Sequence, residues 1–575
     1  MAGGYSREFL SINRQLPSPM ICVCEGDTIV VDVYVGLLAS SDSATIHWHG
    51  MWQQNTPHMD GTPYVSQCPI PPEQSFTYEF EAFPPGTYWY HSHLGIQRFD
   101  GMAGPLIVMP RSYRELGQVV VIDNPEEFTV FVQDWLNEDA GQHQDMDMQF
   151  GFGKEERHDR PETLLINGKG YVNGRRFKNF NNKGNPLHTP PAIFKVKNSS
   201  SLYRFRYIQA TSTVCPTLVF IPGISLTIIA SDGMPIQPIK VDVLSVITGE
   251  RYDFVVDLQD AVGHIPIFVV YASNFSIFQV GFIVIEKDSG SESPIDYQSL
   301  PNVTKLQEQL CCSLKKAKTL LNPIENINGI RQSDFLELVK NCPAESCSSS
   351  SQDVDIQSVK LNELRSEKPS AFTRNGGYPS ILAQNFSAEE NHTVNHTIEL
   401  STLGKTGTGP LDLYRFQLNE ISYRSPPHPG LFYENSKDTW CNKSTITKKS
   451  TIMTADFEDK FYWCPHNLDL PPNKTVEIAL ISKENAWVAH PLHMHGHSYA
   501  VVAMAYNVSQ NMSLEYFQQL DRKGEVKRNL IDPIRKDTVL VPCEYFWLNK
   551  CNFISHLVGQ SVNSSVVNNV SSILL

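Results

Sequence analysis

The chain has 575 residues, of which 47 are basic and 61 acidic, for a formal net charge of −14. At roughly 150 residues per domain, that length predicts three or four domains rather than one core. The acidic balance argues against a polyanion-binding surface. There is no basic run with interleaved aromatics, no P-loop, no Gly-rich dinucleotide turn and no apolar run long enough to cross a bilayer.

In chain order, the first predicted elements are short strands. Thr28 to Tyr34 is rich in β-branched residues, and Ser75 to Phe83 alternates aromatic and polar residues. Gly86 to Tyr90 and Leu106 to Met109 continue the habit, with Pro- and Gly-bearing turns between them. This is the grammar of a sandwich or barrel. Two histidine pairs fall in this region, His47-Trp48-His49-Gly50 and His91-Ser92-His93.

A second set of strands runs from Phe128–Trp135 through Leu164–Gly168, Tyr203–Arg206 and Gly249–Val256 to about Ile285. It has no His-x-His pair and reads as structural. Val303 to Leu321 then carries apolar residues at helical spacing, with Lys315, Lys316 and Lys318 opposite. Cys311, Cys312, Cys342, Cys347 and the Ser348–Ser351 run share that region, which reads as a stapled surface linker with a short helix. A third set begins near Thr397–Leu400, includes Lys474–Ile481 and leads into a dense histidine segment. The chain continues through Arg535–Pro542 to a polar tail. The boundaries this predicts are 1–112, 125–288, a linker at 289–374, and 375–575.

Twelve cysteines fit disulfides in an oxidising compartment. Roughly a dozen Asn-x-Ser/Thr sequons, among them Asn274, Asn302, Asn391, Asn395, Asn473 and Asn507, fit a secreted glycoprotein. Met1-Ala2-Gly3-Gly4 has no charged or apolar leader, so the expectation is a true start further upstream.

The dense segment is His490-Pro491-Leu492-His493-Met494-His495-Gly496-His497. One His-x-His pair is more often a surface or hydrogen-bonded pair than a ligand set. Three such pairs in one chain point to bound metal, because neutral imidazole is the commonest protein ligand for copper and zinc. In an extended segment His493 and His495 share a face, and His490 is offset toward a different metal. Zinc sites use three or four ligands, too few for seven histidines.

These segments in this order resemble the multicopper oxidases, specifically animal laccases. The resemblance is carried by His47–Gly50, Met59-Asp60-Gly61, Gln67-Cys68-Pro69, Gly86–His93, Asp100–Gly104 and His490–His497, and covers nearly the whole chain to Pro542. It implies an all-β fold of three cupredoxin-like Greek-key β-sandwich domains. It implies a trinuclear copper cluster between the first and third domains, and a mononuclear type 1 copper in the third. Carried over by motif, His47 and His493 would hold the type 2 copper. His49, His91, His93 and His495 would contribute to the type 3 pair, and His490 would bind type 1 copper. Asp60 matches an acidic residue that moves protons near the type 2 copper; the competing reading is a plain Asp-Gly turn. His497 reads as supporting, His58 and His143 as surface residues. The partners implied are dioxygen and a small reducing substrate such as a phenol or aromatic amine, with no nucleic acid. Neither the natural substrate nor the oligomeric state is legible.

The sequence departs from the family at its close, where the pattern requires His-Cys-His and a further His. None occurs here, and about fifteen residues are lacking after Pro542 relative to the family pattern. Cys551 and His556 stand near the family spacing as candidate type 1 ligands, flanked by Lys550 and Asn552, neither of which replaces an imidazole. Cys551 reads equally well as a disulfide partner of Cys543. Two type 3 ligands are lost, partial copper loading is expected, and a lost strand would expose a sheet edge. Two functions follow: a laccase-like oxidase, or a secreted copper-binding or structural protein that keeps the fold without turnover.

Overall fold

The computed structural model describes residues 7–36, 42–111, 121–136, 163–170, 190–197, 202–213, 216–259, 261–272, 277–286 and 303–321. Beyond these it describes shorter stretches, chiefly 357–359, 396–403, 415–419, 475–482, 490–506, 514–526, 532–541 and 553–560.

The first group of strands forms two facing sheets. Ser75–Glu81 buries Tyr78 and Phe80 and turns Ser75, Glu79 and Glu81 to solvent, the alternation that strand geometry dictates. It pairs antiparallel with Thr28–Tyr34. Opposite lies a four-stranded sheet ordered Ile21–Cys24, Ala103–Met109, Gly86–Ser92, Ile46–His49. Ile29, Tyr78 and Phe80 from one sheet meet Trp48, Tyr88, Tyr90, Leu106 and Val108 from the other. Each such side chain contributes about 1.5–3 kcal/mol by leaving water. Gly86–Ser92 has no exposed residue, because its second face is covered as well. There Trp89 and Ile107 pack on Phe131 and Ile208 of the next group.

The second group builds a six-stranded and a seven-stranded sheet. Their shared core, with Phe205, Phe254, Ile267 and Val269, runs on into Leu480, Leu492, Val501 and Val539 of the third group. The outer face of the seven-stranded sheet is closed by the helix Val303–Lys316. Its Leu306, Leu310 and Leu314, spaced four apart, are fully buried against Leu218, Phe268 and Phe282. Thr319–Leu321 then pairs in parallel with Val243–Val246. Over residues 303–321 the surface-linker reading is therefore corrected: a one-sided apolar stripe and the strand after it pack on the second group.

The third group contains an eight-stranded sheet and a three-stranded sheet. In the larger one, Phe553–Gln560 lies between Thr475–Ser482 and Tyr499–Tyr506, antiparallel to both. The exposed edge expected from a lost strand is thus filled. In the smaller one, His490–Met494 pairs with Thr538–Val541. Cys311 and Cys312 are disulfide-bonded. Cys22, Cys24 and Cys68 are free and exposed; the first two stand opposite Ile107 and Met109, which offer no thiol. No helix among the described residues is long and apolar enough to cross a membrane.

Candidate metal centre

Strand pairing brings the histidines of the first group together. Ile46–His49 runs antiparallel to Gly86–Ser92 with His47 opposite His91. Directly opposed residues share a face, and His49, two residues on, shares it too. In the third group His493 stands opposite Thr538. The two surfaces meet with six imidazoles in mutual contact. The His47 ring centre lies 5.4 Å from those of His91 and His93 and 3.9 Å from that of His495. His49 stacks on His493 at 3.6 Å, and His93 lies 5.2 Å from His495. Ligand atoms of His47, His49 and His493 all fall within 4.8 Å of one another, as do those of His47, Asp60 and His495.

The hydrogen bonds assign each ring's proton and expose its lone pair. Nδ1 of His47 donates to the Asp60 carbonyl at 2.8 Å, and Nδ1 of His91 to the Ser92 carbonyl at 2.8 Å. Nδ1 of His493 donates to the Asp537 carbonyl at 2.9 Å. A carbonyl only accepts, so these Nδ1 atoms carry the hydrogens and the Nε2 atoms carry lone pairs. Those three Nε2 atoms are buried and have no hydrogen-bond partner among the described residues. Three inward lone pairs left unpaired are costly in a protein alone and suit a metal ion. His49 is held the other way. Thr538 Oγ1 donates to Asp537 Oδ1 at 2.9 Å and so accepts from His49 Nε2 at 3.2 Å, which leaves the His49 Nδ1 lone pair inward. A set of imidazoles kept neutral fits copper.

Electrostatics agree with neutral rings. Burial, then the neighbouring His493, holds His49 well below the ordinary imidazole range. Burial, then Arg98, does so for His91, and burial, then His495, for His93. His495 is lowered to about 3, by burial first and His47 second. Asp60 goes the opposite way from a buried carboxyl. Burial opposes its ionisation, but His47 and His495 outweigh that and hold it well below the carboxylate range. Its Oδ2 accepts from His495 Nδ1 at 2.9 Å and from Thr62 Oγ1 at 2.6 Å. The following Gly61 has φ +82°, and a Cβ there would sit 1.8 Å from the Ile46 carbonyl oxygen. Asp60 thus precedes a turn that requires glycine, and its carboxylate touches His47 and His495.

Among the nine sequence-derived ligand candidates, the structure brings together His47, His49, His91, His93, His493 and His495. His490 is placed in the strand His490–Met494 and His556 in the central strand Phe553–Gln560, opposite Ala479 and Ala503; their side chains lie outside the described residues. Cys551, Cys543, Lys550, Asn552 and His143 lie outside them altogether. His58 sits in the short turn of helix Pro57–Met59. His497 is half-buried, and the desolvation lowers its pKa. Thr62, Asp537 and Thr538 touch the rings and Arg251 holds Asp537, and none of the four stands out in the sequence. Asp537 was read only as part of the strand Arg535–Pro542. Its signal in the sequence is the run Arg535-Lys536-Asp537, three charges just before the apolar stretch Val539–Val541.

Three segments, residues 1–113, 126–282 and 424–554, match the multicopper oxidase family. Laccase-2 of Thanatephorus cucumeris is 28% identical over 565 residues, covering 93% of this chain and 82% of that protein. Laccase-3 of the same fungus is 26% identical over 517 residues, covering 88% and 79%. Among solved structures, Fet3p, a multicopper oxidase that functions in iron import, superposes with a TM-score of 0.62 at 18% identity, covering 97% of this chain and 82% of its own. The laccase from Botrytis aclada superposes at 0.58 with 19% identity, covering 99% and 86%. These two likenesses establish the fold, all-β with cupredoxin-like sandwiches. With its three matched segments in family order and its six histidines gathered where the first and third groups of strands meet, the chain belongs to the multicopper oxidase family.

Proposed function

We propose that the protein is a laccase-like copper oxidase that couples one-electron oxidation of phenols or aromatic amines to reduction of dioxygen to water. The observation that carries this reading is the set of inward, unpartnered Nε2 lone pairs on His47, His91 and His493. His47 and His493 are assigned to type 2 copper, and His49, His91, His93 and His495 to the type 3 pair. His490 is assigned to type 1 copper, with Cys551 and His556 as its remaining candidates. Copper bound there supplies the one-electron redox chemistry that matches four substrate oxidations to one dioxygen.

The chain's own groups supply orientation and protons. Backbone carbonyls hold the His47, His91 and His493 rings with their lone pairs inward. Asp60 Oδ2 holds His495, while Asp60 Oδ1 lies 3.3 Å from His47 Nδ1 and is otherwise unpartnered among the described residues. That oxygen is the station for protons, four of which each dioxygen needs to become two waters. Loading is partial and turnover slower than in a fully liganded laccase, because no His-Cys-His supplies the last two type 3 ligands. The same absence favours the second reading, a copper-holding protein without turnover. The protein is placed outside the cell, a location that its sequons and the disulfide-bonded Cys311 and Cys312 support. The test is copper content per chain with visible absorption and oxygen uptake. Copper bound with phenol-dependent uptake supports the oxidase, copper bound without uptake supports the second reading, and no copper bound defeats both.

A further inference from the structure

The second group of strands contributes no histidine to the cluster, yet its side chains hold the residues against which the rings rest. Arg251, on the strand Arg251–Asp257, is fully buried where all three groups meet. Its Nη1 and Nη2 donate to the two carboxylate oxygens of Asp537 at 2.7 and 2.6 Å, a bidentate fork. Its Nε donates to the Thr87 carbonyl of the first group at 3.1 Å, and its guanidinium lies 5.5 Å from the centre of the Tyr88 ring. Asp232 completes the frame. Its Oδ1 accepts from the Arg251 backbone N–H at 3.0 Å, and its Oδ2 from those of Asp537 and Thr538 at 3.2 and 3.1 Å. Lys536 ties Asp232 to Glu250 at 3.1 and 2.9 Å.

On its other side Asp537 faces the histidines. Its carbonyl accepts from His493 Nδ1 at 2.9 Å. Its Oδ1 lies 3.4 Å from His493 Nδ1 and 3.6 Å from His49 Nε2, and Thr538 Oγ1 touches both nitrogens. These are the outward nitrogens, the ones that fix where each lone pair points. His49 comes from the first group and His493 from the third, so Asp537 and the Thr538 hydroxyl that its carboxylate holds meet rings from both sides of the interface. Gly249 allows the approach: its φ is +86°, and a Cβ there would meet His49 Cε1 and Thr538 Cγ2 at 3.3 Å.

We infer that Asp537, clamped by the Arg251 fork, is a positioning residue that sets the ring orientations of His493 and His49, which makes the second group of strands, though it gives the cluster no histidine, part of the metal centre. A buried carboxylate with a rigid bidentate partner has one position, whereas a lysine in place of Arg251 is a point charge that fixes no plane. Removal of such outer contacts costs about 10–100-fold in metal affinity or activity. The inference rests on the copper reading for its consequence, but its geometry can be tested without metal.

The experiment compares the parent chain with Asp537→Asn and Arg251→Lys, and with Leu310→Ala as a destabilised control remote from the site. In metal-free protein, diethylpyrocarbonate labelling of each histidine is read by mass spectrometry. His493 and His49 should label several-fold faster in both site variants, with the control matching the parent. In protein titrated with copper, the site variants should bind with 10–100-fold weaker affinity and show altered copper hyperfine splitting in the electron paramagnetic resonance spectrum, while Leu310→Ala keeps the parent's spectrum. Parent-like labelling in both site variants overturns the inference, whatever copper does. Site variants that label faster, in a protein whose parent binds no copper, overturn the copper reading and leave the positioning role established. Arg251→Lys keeps the charge, so it decides the matter if Asp537→Asn does not fold.

Discussion

At the scale of single residues, the site divides into what chemistry announces and what only packing reveals. Imidazole pairs are conspicuous because few other roles call for neutral nitrogen donors at a two-residue spacing, so six cluster residues were legible before any coordinates. Asp60 was legible only as one of two readings, since Asp-Gly serves turns as often as chemistry. Asp537 and Arg251 were not, because one acid and one arginine 286 positions apart carry no shared local signal. Asp60→Asn tests the proton role. Asparagine Oδ1 can still accept from His495 Nδ1, so the rings stay in place and copper content should not change. Turnover should fall by about 10²–10⁴-fold, the usual contribution of a placed acid–base group. Oxygen uptake normalised to bound copper decides it, and parent-like turnover would remove Asp60 from the mechanism. Gly61→Ala tests the turn. The new Cβ collides with the Ile46 backbone, and the φ penalty alone is about 1–3 kcal/mol. Its denaturation midpoint should fall clearly below that of the parent.

At the scale of elements, period-two alternation gave the strands of the first group, and Ser75–Glu81 shows why. It has one wet face and one dry face. Gly86–Ser92 is harder to read because both of its faces are covered, and nothing local marks the second covering. The helix Val303–Lys316 was legible as a helix but not as part of the core. Its stripe predicts some buried partner, and the sequence does not say that the partner is the outer face of the seven-stranded sheet. Leu310→Ala measures that packing. Truncating this fully buried leucine should cost about 2–5 kcal/mol in urea unfolding. A cost below about 1 kcal/mol would mean the helix is the surface connection first expected.

At the scale of the whole molecule, the second and third groups of strands share one apolar core, and the first packs on the second through Trp89 and Ile107. A buried ionic junction ties all three, with the histidines close by. The family order of the motifs made that meeting place legible. The ionic frame behind it was not, because it is built from residues that become neighbours only on folding. Ligands drawn from two groups couple metal binding to docking, so copper should stabilise the fold. At a free concentration 100 times the dissociation constant the gain is about 2.7 kcal/mol, read as a rise in melting temperature that a chelator reverses. An unchanged melting temperature in protein that holds copper would show that the metal binds the unfolded chain as tightly as the folded one, and so that the folded cluster is not its site. The central claim, that these histidines serve a dioxygen-reducing copper centre, is tested most directly in an oxygen electrode with a phenol as donor. The copper-loaded protein should consume dioxygen, at four phenol oxidations per dioxygen and more slowly than a fully liganded laccase, while the metal-free protein consumes none. Equal uptake with and without copper, or none in either, would contradict it.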